Sequence, residues 1–123
     1  MISVGLIIIL ISGIRLNSIE IPRTQEIQSI SITNYEINTE KNTIEITDTK
    51  KIDEITNWIK IAKKTNKESL SDFPNVQNFI KLEFNLENGA SRLFIYKDEK
   101  YYVEQPYIGI FEISDNHNIF NIN

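Results

Sequence analysis

The sequence predicts an α+β fold: one helix packed on an antiparallel sheet of about five strands, in the order ββ-α-βββ. Three observations predict it: one stretch has helical spacing of apolar residues, several stretches are β-branched or alternating, and turn signals separate them. The 123 residues suffice for one such domain. We expect a signal or membrane-anchor segment at 1–16, a linker at 17–25, the domain at 26–114 and a frayed tail at 115–123.

The N-terminal residues 2–14 form a run of thirteen without a charge. A membrane-spanning helix needs ~20 apolar residues, whereas this run has the length of the apolar core of a secretory signal. Its flanks are atypical, because Arg15 and Arg23 follow the run and only the α-amino group of Met1 precedes it. We therefore expect an export signal or anchor, and an extracytoplasmic domain that is secreted or membrane-tethered. An anchor with its N-terminus outside and a buried strand are the alternatives.

Two strands are predicted ahead of the helix. Residues 26–36 are rich in β-branched side chains, and residues 43–47 alternate polar with apolar ones. We expect residues 38–42 to form the turn that joins the two strands as a hairpin.

The predicted helix begins after Asp48 or Thr49, since either side chain can accept a hydrogen bond from a free amide of the first turn. Its apolar face has spacings of 3, 4 and 3 and is formed by Ile52, Ile55, Ile59 and Ala62, widened by Trp58. Four lysines share one helical face near its end: Lys60, Lys63, Lys64 and Lys67. That face could meet an anionic membrane or wall polymer, or it could be a solvated helix end.

Three more strands are predicted after a polar loop, at 76–87, 90–97 and 101–105. The dipeptide Asn88-Gly89 predicts a hairpin turn in which both central residues have positive φ. A proline, Pro106, ends the last of these strands because it cannot donate to a ladder. Residues 107–114 then form a short turn or a final strand.

Composition excludes several classes of function. The net charge of −4 and the isoelectric point near 5.0 argue against nucleic-acid binding, which needs a basic face. The absence of cysteine excludes thiol catalysis, disulfides and thiolate metal sites. A single histidine, His117, excludes a poly-histidine metal site. We expect no cofactor and no metal.

Three segments resemble a known family: Thr65-x-Lys67-Glu68-Ser69-x-x-Asp72-x-Pro74-Asn75, then Ile80-Lys81-Leu82-Glu83-Phe84, then Tyr101-Tyr102-Val103-Glu104-Gln105-Pro106-Tyr107-x-Gly109-Ile110. Through them, residues 20–113 resemble a bacterial family of small domains of unknown function, carried mostly by low-GC Gram-positive organisms. Members usually follow a signal or membrane segment, commonly with a basic start that this chain lacks. The resemblance implies an exported or tethered domain and implies no reaction.

The last of these segments supplies the candidate binding residues Glu104, Gln105, Tyr107 and Tyr102. Pro106 fixes its own φ and Gly109 permits a close or left-handed backbone, so the segment can form a rigid platform. Aromatic and amide side chains suit a peptide or glycan surface. The alternative is a structural corner in which the tyrosine packs and its hydroxyl bonds to backbone.

Other candidates have a functional and a structural interpretation. Tyr96, Tyr101 and Tyr102 could form a sugar-stacking strip or cross-strand packing pairs. Their position on neighbouring predicted strands is compatible with both interpretations. The histidine of the tail, His117, would lack the partners that orient a ligand or base.

Acid–base catalysis would need two carboxylates that face each other across the sheet. The pair that the sequence offers is Glu104 with either Asp72 or Glu83. The hypothesis that we favour is a non-enzymatic binding module of the cell envelope, whose partner is an envelope protein, a peptide or a wall polymer. It would meet the membrane through its N-terminal segment only. The alternatives are a small carboxylate-dependent hydrolase and a tethered immunity-type inhibitor of a secreted toxin.

Overall fold

The computed structural model describes residues 18–115. The predicted signal or anchor segment at 1–16 lies outside the described residues, and so does His117 in the predicted tail. Within the described part of the chain, no helix is long and apolar enough to cross a membrane.

The described residues form one α-helix, one antiparallel sheet and a short 3-10 turn. The strands are β1 (Ser29–Glu36), β2 (Thr39–Ile46), β3 (Lys63–Lys64), β4 (Phe79–Leu86), β5 (Gly89–Asp98), β6 (Lys100–Gln105) and β7 (Gly109–Ile113); the helix, α1, is Thr49–Lys60, and the 3-10 turn is Thr24–Glu26. The sheet order is β2-β1-β4-β5-β6-β7-β3. The predicted α+β fold, with one helix on an antiparallel sheet, is confirmed. The predicted strand number was too low, because the sheet in residues 18–115 has seven strands rather than about five.

The helix begins as predicted and ends earlier. The Asp48 carboxylate accepts a hydrogen bond from the backbone N–H of Lys50 at 3.2 Å, which caps the first turn. After Lys60 the chain turns and extends, so that Lys63 and Lys64 pair with β7 as the strand β3. The outer edge of β7 has backbone N–H and carbonyl groups that need partners. The two extended lysines can pair with these groups, whereas the same residues in a longer helix could not. The predicted helical face of four lysines is therefore wrong.

The two predicted hairpins exist with shifted turns. The first turn consists of Ile37 and Asn38, both with positive φ (52° and 59°), so β2 begins at Thr39 instead of after residue 42. The second turn consists of Glu87 and Asn88, because Leu86 pairs with the first residue of β5. The first loop is shorter than predicted, whereas the second keeps its two residues and lies one position earlier. The positive φ predicted for both residues of the second turn is wrong, since neither Glu87 nor Asn88 has one.

One face of the sheet, the helix face, packs against α1. Side chains alternate between the two faces along each strand. The residues of the helix-face core include Ile30, Ile32, Ile52, Ile55, Ile59, Leu82, Leu93, Ile95, Val103 and Phe111. The Trp58 indole N–H donates to the carbonyl of Ser114 at 3.0 Å, which ties the helix to the end of β7.

The opposite face, the loop face, is covered by residues 65–78, the crossing loop, which lead from β3 at one edge to β4 inside the sheet. The loop-face core consists of Phe79, Phe94, Tyr96, Tyr102 and Ile110, with Tyr35 and Val76 packed against it. Sequence analysis predicted this loop as polar and did not predict that it covers a face of the sheet.

The segment ahead of β1 also packs on the domain. Ile19 and Ile27 are buried in the helix-face core, and Glu20 pairs through its backbone with Gln105. The sequence assigns residues 17–25 to a linker. The residues of this stretch that the structure describes, 18–25, are attached to the sheet.

Candidate functional site

The predicted binding residues lie where β6 ends and the chain turns into β7. Glu104 and Gln105 are neighbours in β6, so their side chains leave opposite faces of the sheet. Both are buried, with exposed fractions of 4% and 7%. Their polar atoms therefore need partners inside the protein, and each has them.

Gln105 bonds to the segment that precedes β1. Its side-chain Oε1 accepts from the backbone N–H of Glu20 at 3.0 Å, and its Nε2 donates to the carbonyl of Glu20 at 2.6 Å. A side-chain amide has the same donor and acceptor as a peptide group. Gln105 thus pairs with residue 20 as a strand neighbour would.

Glu104 lies under the crossing loop. Its carboxylate accepts from the Ser69 hydroxyl at 2.8 Å and from the Tyr96 hydroxyl at 3.3 Å. Burial raises the pKa of Tyr96 well above its usual value, and the nearby Glu104 carboxylate adds to the shift. Among the described residues, every buried polar side-chain atom has a hydrogen-bond partner.

The predicted tyrosine cluster divides between the two faces. Tyr96 and Tyr102 are directly paired across β5 and β6, with ring centroids 5.9 Å apart, and both are buried on the loop face. The Lys67 ammonium lies 4.9 Å from the Tyr102 ring. Tyr101 points to the helix face instead, where it packs against the core. The three rings do not form one strip.

Tyr107 is the predicted site residue that faces solvent, with 65% of its surface exposed. Its backbone is left-handed, with φ of 65°. Gly109, at which the sequence permits a close or a left-handed backbone, has no positive φ and lies close to the Lys64 side chain. Its hydroxyl donates to the Asp72 carboxylate at 2.9 Å, and this hydrogen bond raises the pKa of Tyr107. Its backbone N–H donates to Ser69 Oγ at 3.1 Å. Both bonds join the tyrosine to the crossing loop.

A concave surface, the loop groove, lies beside this tyrosine and has a volume of about 550 Å³. Asp72 and Phe73 of the crossing loop line it together with the β6–β7 turn. Its remaining lining residues include Lys81 of β4 and Arg92 and Phe94 of β5. Volumes of 300–1,000 Å³ are typical of ligand sites.

A row of aromatic rings supports one wall of the loop groove. Tyr35 stacks on Phe79 at 4.7 Å between centroids, and Phe79 contacts Phe94 edge-on at 5.5 Å. Phe73, which is 53% exposed, leans on Phe94 at 5.4 Å. The Phe73 ring therefore rests on a row of rings from three strands, of which Phe79 and Phe94 are buried.

Two cationic side chains line the same groove. Arg92 Nε donates to Glu83 Oε2 at 2.7 Å, and this hydrogen bond raises the pKa of Arg92. The Lys81 ammonium lies 5.8 Å from the centre of the Tyr35 ring. Lys81 is paired with Phe94, two residues along β5 from Arg92, so the loop face carries both cations next to an aromatic ring.

The carboxylates named for acid–base work have separate partners. Glu104 accepts from Ser69 and Tyr96, Asp72 accepts from Tyr107, and Glu83 pairs with Arg92. Within residues 18–115, no group of three histidine, aspartate or glutamate side chains is arranged to hold a metal ion.

Sequence analysis missed Phe73, Lys81 and Arg92 as groove residues. A lone phenylalanine before a proline in an otherwise polar loop was a usable signal for the first. Strand alternation puts the two cations on the face away from Leu82 and Leu93, but the sequence does not indicate what covers that face. Only the path of the crossing loop makes this face one side of a groove.

Comparison with known proteins gives a family and a fold. A family model, DUF5301, described as "Domain of unknown function (DUF5300)", matches residues 16–112. A solved structure described as "NMR structure of the protein from Ruminococcus gnavus" is similar, with a TM-score of 0.67 and 29% sequence identity, over 83% of this chain and 98% of that chain. Among curated proteins, no sequence matches the chain. The match spans nearly all of the solved chain, so that chain consists almost entirely of this fold.

Proposed function

The chain belongs to the DUF5301 family of domains of unknown function, and on this premise we propose that it is a non-enzymatic binding module of the cell envelope. One observation carries the proposal: Tyr107 and Phe73 line the same groove and each is more than half exposed. Exposed aromatic rings on a concave surface are typical of binding sites. The partner is an envelope protein, a peptide or a wall polymer.

The backbone of Tyr107 supports this proposal. A left-handed conformation costs a residue with a Cβ about 1–2 kcal/mol. Here Tyr107 follows Pro106 in a turn closed by the hydrogen bond from the Ile108 N–H to the Gln105 carbonyl. Ser69 accepts a hydrogen bond from its backbone N–H and Asp72 accepts one from its hydroxyl, and both bonds add to the hold on this position. Residues held in such conformations by their surroundings cluster at ligand-contact sites. The fold therefore keeps an exposed ring in a costly but defined position, as a contact residue requires.

Location outside the cytoplasm is part of the proposal. The uncharged run at 2–14 and the resemblance to a bacterial family of exported domains support it. A fusion of the full chain to a phosphatase that is active only outside the cytoplasm tests it. We expect phosphatase activity that is lost when an arginine replaces Ile8 in the middle of the run. Activity confined to a cytoplasmic reporter would contradict the location.

Affinity capture tests the binding role. Residues 16–123, which include the whole family match, are immobilised and exposed to solubilised envelope proteins, secreted proteins and isolated wall polymer. We expect one fraction to be retained by the wild type and lost with Phe73→Ser, because the variant removes one apolar wall of the groove. Leu70→Ser is the matched control, since this leucine is exposed on the same loop and does not line the loop groove.

The outcomes separate the alternatives. Circular dichroism establishes that each variant is folded. Equal retention by the wild type and Phe73→Ser would show that binding does not use the groove, and retention of nothing would contradict the binding role. A retained toxin whose activity is suppressed would indicate an immunity-type inhibitor. Release of products from wall material, lost with Glu104→Gln, would indicate a hydrolase.

A further inference from the structure

We propose that the loop groove binds a short acidic peptide segment in which an apolar side chain stands next to a carboxylate. This inference rests on the proposed binding function and names the chemistry of its ligand. The groove has a cationic part and an aromatic part, and an occupant that satisfies both needs an anion and an apolar group a few ångströms apart.

The cationic part consists of Lys81 and Arg92. The hydrogen bond of Arg92 to Glu83 uses Nε, and a guanidinium has two further nitrogens that can donate to a carboxylate as a fork. The side chain of Arg92 is 62% exposed, so a ligand can reach it. In a chain whose net charge is −4, the groove lining carries two cations and a single carboxylate, Asp72.

The one carboxylate of the crossing loop that lines the groove is already engaged. Asp72 accepts the hydroxyl of Tyr107, which satisfies part of its hydrogen-bonding capacity and fixes its position at the groove wall. Asp72 keeps its charge, so the lining has two cations against one carboxylate, and this excess of positive charge favours an anion. Glu83 is the internal competitor, since it holds Arg92 at 2.7 Å.

The aromatic part consists of Phe73, Phe94 and Tyr107. Phe73 rests on Phe94 with 5.4 Å between ring centroids, so the apolar wall is continuous with the buried row of rings. An aromatic or large aliphatic side chain of a ligand would contact this wall. A peptide presents such a group and a carboxylate on adjacent residues, whereas a phosphate-rich wall polymer presents anions without the apolar part.

Titration by NMR tests the inference with three blocked tetrapeptides. They are N-acetylated and C-amidated, and read Gly-Phe-Glu-Gly, Gly-Phe-Gln-Gly and Gly-Ala-Glu-Gly. We expect the first to shift the amides of Phe73, Arg92 and Tyr107 in labelled residues 16–123. Its affinity should exceed that of each of the others about tenfold, because each lacks one of the two contacts. Added salt should lower the affinity of only the two peptides that carry a carboxylate.

Variants of the groove sharpen the test. Lys81→Gln should lower the affinity for the Phe-Glu peptide several-fold, toward that for the Phe-Gln peptide, while Arg92 still binds the carboxylate. Lys97→Gln is the matched control, because Lys97 also lies over a tyrosine ring, Tyr101 at 5.5 Å, and does not line the groove. Glu83→Gln should tighten binding several-fold, since it removes the internal competitor for Arg92. If the ion pair of Glu83 with Arg92 were purely structural, its removal would not raise the affinity for the peptide.

Three results would overturn the inference. They are equal affinity for the Phe-Glu and Phe-Gln peptides, shifts confined to residues away from the groove, and no shift with any peptide. A glycerol-phosphate polymer that shifts the same amides when no peptide does would replace the peptide by a wall polymer. If affinity capture is still lost with Phe73→Ser in any of these cases, the proposed binding function holds although the peptide inference fails. Failure of the peptide inference is therefore distinguishable from failure of the proposed function.

Discussion

Gln105 and Glu20 are 85 positions apart and pair through two hydrogen bonds, with the side-chain amide of Gln105 facing the peptide group of Glu20. The pair fastens the segment ahead of β1 to the last residue of β6. Ile19 beside it is buried in the helix-face core, so the attachment joins polar pairing to apolar packing.

Replacing this glutamine should destabilise the domain. Gln105→Ala leaves the N–H and the carbonyl of Glu20 without their partner, which costs about 1–3 kcal/mol in the free energy of unfolding. Urea unfolding measures the loss, and amide exchange at residue 20 should become faster. Gln25→Ala is the control, because Gln25 is exposed and its removal should change stability by less than about 0.5 kcal/mol. Equal stability of Gln105→Ala and the wild type would show that the pair is dispensable.

Ser69 should hold the crossing loop against the β6–β7 turn. Its hydroxyl donates to Glu104 and its oxygen accepts from the backbone of Tyr107, so Ser69→Ala breaks both links. We expect a loss of about 1–3 kcal/mol, because a buried carboxylate loses a donor. Faster amide exchange at Tyr107 should accompany it.

The matched control for this serine is Ser71→Ala. Ser71 is exposed on the same loop and donates to the carbonyl of Phe73 at 2.6 Å. Its loss should cost less than that of Ser69, because solvent can replace the bond. If the two variants lose the same stability, the buried position of Ser69 has no special role.

Stability should fall at alkaline pH because of Tyr96. Burial raises the pKa of this phenol in the folded state, whereas the unfolded chain loses the proton near its usual pKa of about 10. Above about pH 10 the unfolded state therefore binds fewer protons than the folded one, and the free energy of unfolding decreases as pH rises. Below that pH the contribution is fully present.

The variant Tyr96→Phe tests this origin of the alkaline loss. It removes the titrating group and one donor to Glu104, so stability at pH 7 should be lower by about 1–2 kcal/mol, and the decline between about pH 9 and pH 11 should be shallower than in the wild type. Urea unfolding at each pH measures both effects. Parallel declines in the two proteins would assign the alkaline loss to other groups.

Much of the fold could be predicted because it depends on local patterns. The apolar spacing of Ile52, Ile55 and Ile59 placed α1, and the alternation around Leu82 placed β4. The end of α1 could not be predicted, since Lys63 and Lys64 have good helical neighbours in the sequence and become a strand only because β7 offers them an open edge. The turns at residues 37–38 and 87–88 shifted for a related reason: cross-strand pairing sets the register.

The candidate site depended more on tertiary structure. The motif around residue 104 was found from the sequence, and its four named residues stay predicted ligand contacts. The structure places three of them, Glu104, Gln105 and Tyr102, inside the protein and leaves Tyr107 exposed. Burial of a polar side chain depends on which distant segment covers it, and no local pattern reports that.

The sequence by itself determined the class of fold, the helix with its cap and the order of the main strands, because periodicity and capping act between residues a few positions apart. Only the tertiary structure decided that the crossing loop covers one face of the sheet and forms a groove with the turn that follows β6. It also decided that Gln105 binds the backbone of residue 20, and that Phe73 meets Phe94. These contacts join segments far apart in the chain, and they form only when the whole sheet has assembled.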